Sequence, residues 1–115
     1  MVIIEFPDGS DWYRANWVFR QFAADVIASA PDDAELKDAF EKAQAIGLLS
    51  MDRMEPDLLA RSVLAMKAVA EQVAIDAVEW REKSPNDDAV DQYASSIAEL
   101  LESLRLSVRD FWGEW

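Results

Sequence analysis

Apolar side chains recur at alternating steps of three and four through Val90, Tyr93, Ile97, Leu100, Leu104, Val108 and Phe111, and a helix is what gathers that spacing onto one side. A seam this long needs other helices to cover it. Pro56 suits a first helical position, and Leu59, Val63, Met66, Ala70, Val73, Ala77 and Trp80 follow it by fours and threes. Leu58, Ala65, Val69 and Ile75 widen that surface beyond one stripe, so a helix over 56–83 should sit centrally. Its alanines at 65, 68, 70, 74 and 77 allow close helix approach.

Two further helices fit the remaining pattern. Leu36, Ala39, Phe40 and Ala43 share a stripe over 33–46, which Gly47 is placed to end in a left-handed conformation. Ala15, Phe19, Phe22, Ala23, Val26 and Ile27 do the same over 11–29, with Ser10 or Asp11 as the cap. Asn86 or Asp87 caps the last helix, 87–112. Residues 48–54 lack a clear period and read as a packed loop or one short helical turn. Val2, Ile3, Ile4 and Phe6 form a β-favouring run before a Pro7-Asp8-Gly9-Ser10 turn. The expectation is an all-α, single-domain antiparallel bundle of about four helices over residues 1–115, with a short N-terminal extended strand over 1–7. A lone strand has unpaired edges, so it lies along the helices, pairs within a dimer or meets a partner's edge.

Composition narrows the chemistry. The 115 residues are 51% apolar, with 23 acidic against 11 basic side chains, a net charge of -12, and no His or Cys. Without imidazole or thiol, nucleophilic triads and structural zinc sites are excluded, and three glycines cannot build a phosphate-cradling loop. The charge opposes nucleic acid and anionic lipid, and attracts a basic protein. Neither an export signal nor a bilayer-spanning stretch is legible, and the missing cysteines suit a cytoplasmic location.

Carboxylates are the chemistry that remains. Asp87-Asp88-Ala89-Val90-Asp91 resembles the aspartate-rich motif of helical prenyl-diphosphate and terpene synthases, and Glu99-x-x-Glu102 and Asp76-x-x-Glu79 resemble spacings in helical nucleotide pyrophosphohydrolases. Either resemblance implies a magnesium-dependent enzyme, yet each covers about five residues. The second metal motif of the synthases and the Glu-Glu-x-x-Glu signature of the hydrolases are missing. Acidic residues in a helix's first turn also serve simply to complement its dipole.

A second grouping is more distinctive. Asp88, Gln92, Ser95, Glu99 and Glu102 fall on one stripe, and no basic residue lies between Ser84 and Leu104. Trp17 sits one turn from both Arg14 and Arg20, the spacing at which an indole stacks on guanidinium, and Trp12 and Trp80 are assigned to the core. Trp112 and Trp115 flank Gly113. From these residues the chain reads as an acidic, non-enzymatic protein-binding module without cofactor or metal. Asp88, Asp91, Glu99, Glu102, Trp17 and Trp112 would meet a basic partner such as a toxin or nuclease. Immunity proteins, antitoxins and nuclease inhibitors share this character. A homodimer through the 56–83 helix or the N-terminal strand is the alternative.

Overall fold

The computed structural model describes residues Met1–Trp115. Its elements are β1 (Val2–Glu5), β2 (Asp11–Arg14), α1 (Asn16–Ser29), α2 (Ala34–Ile46), β3 (Leu48–Ser50), a 3-10 turn (Met51–Arg53), α3 (Pro56–Lys83) and α4 (Asp88–Trp112). The chain is mostly helical, as the periodicity requires. The expectation of an all-α fold is corrected by a three-stranded sheet in the order β2-β1-β3.

The sheet follows from local chemistry. The turn closes as a hairpin, in which Ser10 O accepts from Phe6 N at 2.7 Å and Phe6 O accepts from Gly9 N at 2.9 Å. That pairs β1 antiparallel with β2, Ile4 opposite Trp12. Val2, Ile4 and Trp12 are buried, whereas Tyr13 is exposed, the period of two expected where one sheet face meets a core. Residues 11–14 are therefore strand, not the first turn of a helix. Neither Ser10 nor Asp11 caps α1, whose cap position is Ala15 with no side-chain bond.

On its other edge β1 pairs in parallel with β3, placing Ile4 beside Leu49. Gly47 sets up this pairing. At φ 78° it ends α2, its N–H donates to Ala43 O, and its own carbonyl accepts from Ile3 N at 3.0 Å. Residues 48–50 are thus strand rather than loop, and the N-terminal run, expected to lie alone, is the central strand.

Helices pack on the buried sheet face and on one another around one cluster of 25 buried residues. Phe19, Phe22, Phe40, Met66, Ile97, Leu100 and Leu104 are fully buried, each contributing roughly 1.5–3 kcal/mol by leaving water. The two long helices form a hairpin of opposite senses: Arg81 near the end of α3 meets Asp91 near the start of α4, and Lys67 meets the Trp115 ring beyond the end of α4. The senses of α1 and α3 are also opposed, because Arg61 at the start of α3 bonds Asp33 and Glu35, just past α1. No helix is long and apolar enough to cross a membrane.

Candidate functional site

Where α1 and α3 run alongside each other, they leave an open groove of about 830 Å³ with the first turns of α4 at one end. Steps of four lay out both flanks. Trp17, Gln21 and Asp25 follow one another along α1, and Gln72, Asp76 and Trp80 along α3, each triple on one side of its helix. Because the helices run oppositely, the two indoles share an end. Tyr93 stands there, its ring 6.2 Å from Trp17 and 6.5 Å from Trp80 between centroids. Ala28, Ala68 and Ala89 line the remainder with Val69, Val73 and Val90, so small side chains keep the groove from closing.

Its two charged groups are of one sign. Asp25 and Asp76 are half-buried, and neither forms an ion pair with a Lys or Arg of the chain. Each accepts instead from a neutral amide one turn away, Asp25 from Gln21 at 3.4 Å and Asp76 from Gln72 at 2.9 Å. Tyr93 is 6% exposed and its buried hydroxyl has no hydrogen-bond partner. Burial, reinforced by the charge of Asp25, holds that phenol well above its ordinary range, so it is neutral.

The residues expected to carry binding scatter. Trp17 lies in the groove. It tilts against Tyr93, while the guanidinium of Arg14 lies 5.5 Å over Trp12 instead. Asp91 bonds Arg81 at 3.0 Å, Glu102 bonds Arg105 at 2.6 Å, and Glu99 pairs with Arg14. The stripe on α4 is therefore largely neutralised, and the arginine that meets Glu99 arrives from β2, far away in sequence. Asp88 alone of the four carboxylates is exposed and unpaired. Trp112 packs against Phe111 at 6.0 Å at the far end of α4, apart from the groove.

The aspartate-rich run divides its work. Asp87 caps α4 by accepting from Ala89 N and Val90 N, and Asp91 is held by Arg81. No group of three or more carboxylates is positioned to hold one metal ion. The sequence alone does not mark Asp25, Asp76, Trp80 and Tyr93 as residues of a partner-binding site. Their signal was present in the two Trp, Gln and Asp triples at steps of four, which become one site only when the helices are laid side by side. No family model, no curated protein and no solved structure matches the chain.

Proposed function

We propose that this chain is a small acidic protein-binding module that receives a basic, amphipathic helix of another protein in the α1–α3 groove. One observation carries the reading: a mainly apolar groove is bordered by two carboxylates, Asp25 and Asp76, that no cation of the chain neutralises. Apolar lining supplies burial and the aromatic rings supply anchoring area. The net charge of -12 steers a basic partner towards it. Between Trp17 and Ala28 the flank spans about 17 Å at 1.5 Å per residue, room for roughly three turns of helix.

Leu64 and Ile75, each about two thirds exposed, lie on α3 beside Ala68 and extend the apolar surface past the lip. A bound helix would cover part of it. The consequence for the partner is occlusion, since a basic segment held here is withdrawn from whatever acid or phosphate it otherwise meets. An immunity, antitoxin or inhibitor role against a toxin or nuclease is one form of that reading.

A designed peptide of about three turns tests it, with Leu at i, i+3, i+4 and i+7 and Lys on the flanks. Amide and indole NMR signals of Trp17, Gln21, Asp76 and Trp80 should shift saturably, with affinity falling as salt rises from about 50 to about 200 mM. Shifts gathered on the outer face of α4, or equal binding of a Glu-flanked peptide, would overturn it. The exposed Leu64, Ile75 and Val78 support a second reading, self-association through α3. Analytical ultracentrifugation separates the two, a monomer at all concentrations removing the second.

A further inference from the structure

We propose that the Trp17, Tyr93 and Trp80 end of the groove seats one N–H-bearing cation, an ammonium or guanidinium group, supplied by a Lys or Arg of the bound helix. The inference rests on the groove being the docking surface, and it names the chemistry that fixes the partner's register there.

Three independent features converge on this class of ligand. The aromatic rings present electron-rich faces, which attract a cation within about 6 Å of a ring centroid. Asp25 is acceptor-only when ionised, and its one side-chain bond is the long one from Gln21. Tyr93 keeps a neutral hydroxyl that is buried without a partner, an arrangement costing roughly 1–3 kcal/mol unless something arrives to bond it. A cation that brings several donors bonds the Tyr93 hydroxyl, and the charge of Asp25, which reaches that phenol from further along the groove, attracts it there. An anion would be repelled by Asp25 and Asp76, and a purely apolar group would leave the hydroxyl orphaned.

Access also has a structural source. The Tyr93 hydroxyl is closed from solvent, and of the two indoles beside its ring Trp17 is the more exposed, at 40%. It belongs to the first turn of α1, where Ala15 offers no side-chain cap to hold the backbone. Seating the cation therefore turns the Trp17 indole outward, so its signal reports occupancy.

n-Butylammonium is the direct probe, with 1-butanol as its neutral counterpart, followed by indole NMR on the full chain. Saturable shifts at Trp17 and Trp80 should appear with the amine at severalfold higher affinity than with the alcohol. Asp25→Asn should weaken amine binding about tenfold through loss of a nearby opposite charge and Tyr93→Phe severalfold through loss of a charge-assisted hydrogen bond, while both leave the weak response to butanol in place. Equal binding of amine and alcohol, or variants that bind the amine as well as the parent, would overturn the seat.

The designed peptide separates this outcome from the docking reading. If it binds with unchanged affinity when each Lys is replaced by norleucine, the groove docks a helix and the cation seat is wrong. If the amine binds as described but no peptide does, the seat stands, its cation comes from a free amine, and the docking reading falls.

Discussion

Ser107 on α4 and Asp8 in the β1–β2 turn hold each other reciprocally: the serine hydroxyl donates to Asp8 Oδ1 at 2.6 Å and accepts from Asp8 N at 3.2 Å, across 99 positions of chain. Ser107 is fully buried, so removing its hydroxyl leaves the Asp8 N–H without that acceptor. Ser107→Ala should destabilise the protein by about 1–2 kcal/mol, read from the urea midpoint at unchanged slope.

The same contact sets an acid dependence. Hydrogen bonds from Ser10 and Ser107 hold the Asp8 carboxyl below its ordinary value of 3.8, so the unfolded chain takes up the proton more readily than the native one. Its contribution is complete above pH 3.8 and is lost as pH falls through the lower native value. Asp33 beside Arg61 and Glu102 beside Arg105 are displaced in the same direction by their arginines. Unfolding followed from pH 6 down to about 2 should show the decline in the parent and a shallower one in Ser107→Ala.

Phe19 and Phe40 stack with parallel rings at 6.3 Å and tie α1 to α2. Both are fully buried. Phe40→Ala removes the ring and leaves a cavity, costing about 3–5 kcal/mol. Against a typical total of about 5–15 kcal/mol, that should produce a large drop in thermal midpoint by circular dichroism.

Tyr93→Phe is expected to move stability and binding in opposite directions. Taking away a buried hydroxyl that has no partner should stabilise the unliganded protein by about 1 kcal/mol, while amine binding weakens. A destabilised variant in thermal melts would mean that the hydroxyl is already satisfied in solution.

Charge reversal separates the groove from the outer face of α4. Asp25→Lys with Asp76→Lys should abolish binding of the basic peptide and leave helicity intact. Glu99→Lys with Glu102→Lys should change that affinity less than about threefold, since those carboxylates are already engaged by arginines and the exposed pairs contribute little. Isothermal titration of both double variants decides between the two faces.

Helical elements were legible because periodicity is a local property: α3 runs from Pro56 to Lys83 and α2 ends at Gly47, as their breakers indicate. The sheet was not, for a reason visible in Trp12. That residue is spaced acceptably for the start of a helix continuing through Ala15 and Phe19, and its burial alone does not distinguish strand from helix. Only pairing with Ile4 decides, and pairing is non-local. Leu48 and Leu49 suffer similarly, because three residues are too few to display a period. At the candidate site the sequence marks Trp17, whereas Tyr93 is indistinguishable there from the rest of the α4 seam. Counting acids along α4 exposed a one-sign stripe, yet it could not reveal that Arg14 reaches Glu99 from another element.

The middle place of β1 has a consequence for the order in which the protein can be assembled. During synthesis residues 2–5 can meet β2 as soon as both have left the ribosome, but their second neighbour is complete only after residue 50 has followed. At about 5–20 residues per second, the hairpin waits for several seconds with one edge bare. Slowing translation between the emergence of residue 14 and that of residue 50 from the ribosome should therefore raise the yield of aggregated nascent chain, whereas slowing it after residue 50 has emerged should not.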